Sequence, residues 1–139
     1  MPIRFFTILT LVVSLCFTSG VKAEQSAKPA IVDTIQNQLD ALKLDDFERA
    51  FNYASPTIKQ LFGTPQNFGK MVAKGYPMVH RPADVRFLDL REIAGALYQK
   101  VQVQDLNGRI HFLDYQMMKS ENGWKINGVQ FLGTSDFSA

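Results

Sequence analysis

The widest range of side-chain chemistry in this chain falls in one short stretch, YPMVHRP, residues 76 to 82. Tyr76 offers a hydroxyl, His80 an imidazole, and Arg81 a planar fork that suits a carboxylate or carbonyl. Set together on the rim of a pocket, the three would orient an anionic or carbonyl ligand. The stretch also has a plain structural reading. Pro77 and Pro82 each push the preceding residue out of the helical region, so the segment suits a stiff connector that ends a helix and aims a strand. A second candidate pair is Asp114 and Tyr115. A carboxylate base and a hydroxyl donor in an apolar interior are what an enolising isomerase needs. Adjacent strand residues point to opposite faces, so these two cannot both line one interior. If Ile110 and Phe112 face inward, Asp114 does too, and it must be functional or paired. If His111, Leu113, Tyr115 and Met117 face inward, Asp114 is solvated. Both faces carry apolar residues, so both arrangements stay open at this point. Asp89 and Arg91 raise the same question on the preceding strand. Trp124 is expected in the core, where it would shape the floor of any pocket.

Other chemistries lack their residues. The two histidines, His80 and His111, are far apart in sequence, and no carboxylate cluster has ligand spacing, so no metal site is expected. There is no G-x-S-x-G elbow and no glycine-rich phosphate loop, and no cofactor is expected. The one cysteine, Cys16, lies inside the apolar run FFTILTLVVSLCF near the start. A basic start with Arg4, that run, and Val21 and Ala23 ahead of Glu24 form the pattern of a secretory signal peptide over residues 1–23, cleaved after Ala23. The run is shorter than the roughly 20 residues that span a bilayer, which weighs against an uncleaved anchor and against stable membrane insertion after cleavage. Bulky Leu15 before Cys16 argues against a lipoprotein. The expectation is a periplasmic or secreted domain over residues 24–139, free of disulfides and held by its apolar core. Cleavage removes Arg4 and Lys22 from 15 basic residues, leaving 13 to balance 13 acidic ones. Neutral charge without a basic cluster speaks against nucleic acid, and no nucleic-acid partner is expected.

The elements that must position these groups follow from the pattern. Ile31, Ile35, Leu39 and Leu42 recur at helical spacing, with Pro29 expected in the first turn. A second helix is expected from Asp45 or Asp46, with Phe47, Ala50, Phe51 and Ala54 as its apolar stripe. Ser55-Pro56 and Thr64-Pro65 each combine a cap with a first-turn proline and start two more helices. Beyond Pro82 the period becomes two. Strands are expected over 85–93, 97–106, 110–119 and 124–132, with hairpin turns at Asn107-Gly108 and Asn122-Gly123 and a bulge near Gly128. Helices followed by an antiparallel sheet define an α+β fold.

These elements carry a resemblance. The long first helix, the short helix with Phe47 and Phe51, the segment holding Ser55, Pro56, Phe62, Gly63, Phe68, Met71, Val72, Tyr76, Pro77, Val79, Arg81 and Pro82, and the closing strand with Gly123, Trp124, Ile126, Gly128 and Val129 are together similar to the nuclear transport factor 2-like (NTF2-like) superfamily. More narrowly, they resemble a bacterial exported family of unknown function within it, the DUF4864 group. The resemblance implies an NTF2-like, cystatin-like cone: N-terminal helices packed on a curved four-stranded antiparallel sheet, with an apolar pocket at the wide mouth. It implies no activity, because that superfamily hosts isomerases, dehydratases, hydrolases, transport adaptors and non-catalytic binders. The first functional reading is a non-catalytic domain for a small apolar or anionic ligand, or for interaction. The alternative is an acid–base enzyme with an inward carboxylate and Tyr76 or Tyr115 as donor. A third reading is a homodimer through the outer sheet face, although Tyr98, Lys100, Gln102 and Gln104 make that face polar.

Overall fold

The computed structural model describes residues 19–135, with side chains from Glu24 to Thr134. The apolar run with Cys16 lies outside the described residues. Five helices precede four strands: α1 (Ser19–Lys43), α2 (Phe47–Asn52), α3 (Pro56–Phe62), α4 (Pro65–Gly75), α5 (Pro77–His80), β1 (Asp84–Ile93), β2 (Ala96–Gln104), β3 (Ile110–Ser120) and β4 (Gly123–Ser135). The strands form one open antiparallel sheet in the order β1-β2-β3-β4. The fold is therefore α+β, with helices laid on one face of an antiparallel sheet.

The stripe predicted for α1 is the buried one: Ile31, Ile35, Leu39 and Leu42 are all nearly sealed from solvent. Pro29 sits inside this helix rather than in its first turn. An internal proline forfeits one backbone hydrogen bond and costs about 3 kcal/mol, which the packing of the long apolar stripe offsets. The helix ends in a paired stop, with Asp46 N–H donating to Ala41 O and Asp45 N–H to Leu42 O. Asp45 takes the left-handed conformation that this motif requires, φ 55°, a place usually held by glycine. Asp46 is then the cap of α2, its side chain accepting from Arg49 N–H. Ser55 and Thr64 cap α3 and α4 through the N–H groups of Ile58 and Asn67, each with a proline in the first turn.

YPMVHRP is not an extended connector. Pro77–His80 make a single helical turn that buries Met78 and Val79. The two residues that precede the prolines, Tyr76 and Arg81, leave the helical region at ψ 57° and 72°.

The inner sheet face carries Val101, Val103, Leu113, Tyr115, Met117 and Ile126, which pack against Ile31, Ile35, Leu42, Phe51, Phe68, Val72 and Val79 of the helices. That register puts Tyr115 inside and Asp114 on the outer face. A link between the layers runs through the segment joining α2 to α3: Ile126 N–H donates to Tyr53 O and Ser55 N–H donates to Ile126 O. The Ser55 hydroxyl also reaches Asn127 at 2.7 Å.

The turns differ from the sequence expectation in one respect. Gly108 and Gly123 have positive φ, whereas Asn107 and Asn122 do not. At the first of these turns Asp105 Oδ1 accepts from the N–H groups of Asn107 and Arg109, so the side chain closes a longer loop. A two-residue turn with both φ positive lies at Ala94-Gly95, φ 51° and 82°, and the β3–β4 turn is also tight, Ser120 pairing with Gly123 across Glu121 and Asn122. Register shifts in β1 after Phe87, and in the β3–β4 pairing after Phe112 and Gln116, mark bulges that bend the sheet. The last of these falls beside Gly128. At the first bulge the freed Leu88 carbonyl accepts from Lys28 Nζ at 2.8 Å and from Gln99 Nε2 at 2.9 Å.

Gly69, buried in α4, lies directly beneath the Phe47 ring, and a Cβ there would overlap the ring. Gly69→Ala is expected to lose roughly 1–2 kcal/mol, although alanine favours helix by about 1 kcal/mol. A lowered urea midpoint checks this, and an unchanged or raised midpoint contradicts it.

Candidate functional site

Between α3, α4, the C-terminal part of α1 and the inner face of β3 and β4 lies a cavity of about 220 Å³. Its wall is almost wholly apolar: Leu42, Ala54, Ile58, Leu61, Phe62, Phe68, Met71, Val72, Val79, Ile126 and Val129, with Gln38, Tyr76 and Tyr115 as the polar-headed exceptions. Two wall phenylalanines meet edge-on, Phe62 to Phe68 at 6.0 Å, and Phe51 packs against Phe68 at 5.5 Å. Helix α3, none of whose residues is buried, covers one side, and Leu61 at its lip is 72 % exposed.

Three groups bring polarity to this wall, and they differ in state. Tyr76 stacks on Phe131 at 4.9 Å, and its hydroxyl donates to the Val129 carbonyl at 3.3 Å. Gln38, 4 % exposed, donates from Nε2 to the Ala50 carbonyl at 3.1 Å. Tyr115 is fully buried, and its hydroxyl has no hydrogen-bond partner. Burial pushes that phenol well above its ordinary range, so it stays a neutral donor. Two other buried polar atoms lack partners, Gln99 Oε1 and His111 Nδ1. Each of those side chains bonds through its other polar atom, Gln99 to Leu88 O and His111 to Asp105, and neither lines the cavity. Tyr115 alone among them makes no polar contact at all.

The residues singled out from the sequence are thus divided. Tyr76 and Tyr115 both border the cavity. His80 and Arg81 do not reach it; they close on Asp45, His80 Nε2 at 2.7 Å and Arg81 with both carboxylate oxygens at 3.1 Å. Arg81 also donates to the Leu42 carbonyl at 3.1 Å, tying α5 to the end of α1. Asp114 lies on the outer face yet is not solvated: Arg91 reaches across β2 and holds it in a fork of 2.8 and 2.6 Å. The pair leaves Asp114 only 4 % exposed. Asp89 is exposed. Trp124 lines a different feature, an open groove of about 750 Å³ with Leu97, Met117 and Met118 as its other large apolar residues and Glu24, Glu92 and Lys119 as its charged ones.

Sequence reasoning missed Gln38, Ile58, Leu61 and Phe62 as site residues. Gln38 had a signal, since it interrupts the apolar stripe Ile31, Ile35, Leu42 on the buried side of α1. The cavity wall holds no carboxylate, and among the described residues no group of three or more His, Cys, Asp or Glu could hold a metal ion. No described helix is long and apolar enough to cross a membrane.

The fold and cavity define an α+β domain with an apolar chamber whose lining carries no charged side chain. The chain belongs to the DUF4864 family, described as a domain of unknown function, which matches residues 24–139. No curated protein and no solved structure matches it.

The Asp45 clamp has a pH signature. Hydrogen bonds from His80 first, and from Arg81, hold the Asp45 carboxyl below its ordinary 3.8. A carboxyl depressed in the folded state stabilises fully above the ordinary value, and that contribution is lost as pH falls through the folded one. Asp45→Asn is therefore expected to show a smaller fall in urea midpoint than the parent chain between about pH 5 and pH 3. An equal or steeper fall would show that the clamp contributes nothing.

Proposed function

We propose that this protein is an exported, non-catalytic domain that binds a small apolar ligand in the chamber between α3, α4 and the inner sheet face. The observation that carries the reading is the chamber itself: about 220 Å³ of apolar space with no charged side chain in its lining. A dry cavity of about 150 Å³ admits a benzene ring, so this one suits a single ring or a short branched chain. Natural ligand sites share its character, apolar walls with a few placed polar groups. The alternative, acid–base catalysis, calls for a carboxylate on the same wall, and none is there. Homodimerisation through the outer sheet face has no comparable support, since that face centres on the Arg91–Asp114 fork with Tyr98, Lys100 and Gln102 around it.

The finer architecture belongs to the same proposal. Helices on a bulged antiparallel sheet, with a chamber between the layers, support an NTF2-like cone. The basic, apolar and small-residue order of residues 1–23 supports export to the periplasm or beyond.

Two experiments test this. Mass spectrometry of the exported chain is expected to find Glu24 as the first residue; retention of the leader would contradict cleavage. Titration with single-ring compounds, followed by NMR shifts of methyl groups in the chamber, is expected to perturb Ile58, Met71, Val72 and Val129. Met71→Trp, which fills the chamber, should abolish the response. Binding that survives this substitution, or shifts confined to the groove beside Trp124, would overturn the assignment.

A further inference from the structure

We propose that the rim of the chamber, formed by α3, α4 and the far half of β4, is a docking surface for an anionic lipid bilayer. This docking is independent of the chamber reading, since vesicle binding needs no ligand. The charge of the helical cap points to such a partner. From Arg49 to Ala83 the chain has no Asp or Glu, yet it holds Lys59 on α3 and Lys70 and Lys74 on α4. Lys70 and Lys74 are exposed, stand one helical turn apart, and bracket Met71 of the chamber wall in sequence. None of the three lysines has an ion-pair partner among the described residues. Lys125 on β4 brings a further cation close to Lys59: partial burial first, and the Lys59 charge second, hold its ammonium below the ordinary value. Beyond Lys125, β4 carries no charged residue.

Within this basic cap lies exposed apolar surface. Leu61 on α3 is 72 % exposed, and Phe131 and Leu132 on β4 are 50 % and 47 % exposed. Leu61 lines the chamber, and Phe131 stacks on Tyr76, which lines it too. Helix and sheet thus each put a large apolar side chain at the opening. Such side chains, left in water and flanked by lysines, match a bilayer interface. The apolar groups enter the boundary between headgroups and acyl chains, while lysine stems reach out and keep their ammonium groups at the phosphate level. Each lysine near an anionic surface adds to the attraction. A surface of this kind lies on a bilayer and does not span it. The other edge of the sheet makes the contrast: β1 carries Asp84, Arg86, Asp89, Arg91 and Glu92, charges of both signs that suit water. Docked by its rim, the chamber opens toward lipid, where apolar molecules concentrate. That consequence alone rests on the chamber being a binding site.

The test is flotation of the exported chain, its leader removed, with two kinds of vesicle: phosphatidylcholine alone, and phosphatidylcholine mixed equally with phosphatidylglycerol. Binding to the anionic vesicles is expected to be at least about tenfold tighter, and to weaken as salt is raised. Lys70→Gln and Lys74→Gln should each cost about fivefold in affinity. Leu61→Ser should cost a similar factor, because it removes apolar surface from the interface. Lys119→Gln deletes the same charge from the groove beside Trp124 and should change nothing. All four side chains are exposed, so the fold does not depend on them. Equal binding to both vesicles, no binding to either, a Leu61→Ser chain that binds as before, or an equal loss with Lys119→Gln would overturn the docking surface. Each of these outcomes leaves the chamber reading standing, because ligand titration tests that reading separately.

Discussion

A phenol hydroxyl buried in apolar surroundings without a partner is the constraint around which this molecule is organised. Such a group costs about 1–3 kcal/mol relative to one that is satisfied. Each of the other polar side chains taken out of water here makes at least one hydrogen bond or ion pair, although Gln99 Oε1 and His111 Nδ1 are left unpaired. Thr34 donates to Ala30 O, Gln38 to Ala50 O, Gln99 to Leu88 O, Ser55 to Asn127, and His111 pairs with Asp105. Asp114, the most expensive group to bury, receives the fork of Arg91. Against that pattern, Tyr115 is the fully buried polar-headed side chain whose hydroxyl makes no hydrogen bond.

The frame that keeps it free is built from short-range chemistry. Pairing of Tyr115 with Gln99 on one side and Val129 on the other fixes its direction toward the helices. The bridge between the α2–α3 segment and Ile126 holds the start of α3 against β4, while the rest of α3 has no buried residue to anchor it. At the far end, Asp45 accepts a left-handed backbone in order to place its carboxylate between His80 and Arg81. The polar half of YPMVHRP is spent on that junction. Its apolar half, Met78 and Val79, enters the core, and Tyr76 becomes part of the chamber mouth.

Much of this was legible in the residues, and the gaps have physical causes. Helical spacing marked the buried stripe of α1, and Ser-Pro and Thr-Pro marked the starts of α3 and α4, because caps and first-turn prolines act locally. Alternation located all four strands but could not say which face of β3 is inner, since Ile110 and Phe112 compete with Leu113 and Met117. Only the pairing with β2 resolves it. The partners of Asp45 and Asp114 were out of reach, as His80, Arg81 and Arg91 meet them across long stretches of chain. The Ala94-Gly95 turn escaped because alanine seldom tolerates positive φ. Asn107-Gly108 suggested a two-residue turn because the competing closure by Asp105 depends on the side chain two residues earlier. Tyr115 stood out as a candidate from its type, while its lack of a partner is a property of packing alone.

The most direct measurement is the stability of Tyr115→Phe in the absence of any added ligand, by urea denaturation. A hydroxyl that is unpaired in the free protein contributes nothing to holding it together, so its removal should leave the unfolding free energy unchanged or raise it by about 1 kcal/mol. A loss of more than about 1 kcal/mol would mean that the hydroxyl is already satisfied in the free protein, and would contradict the account.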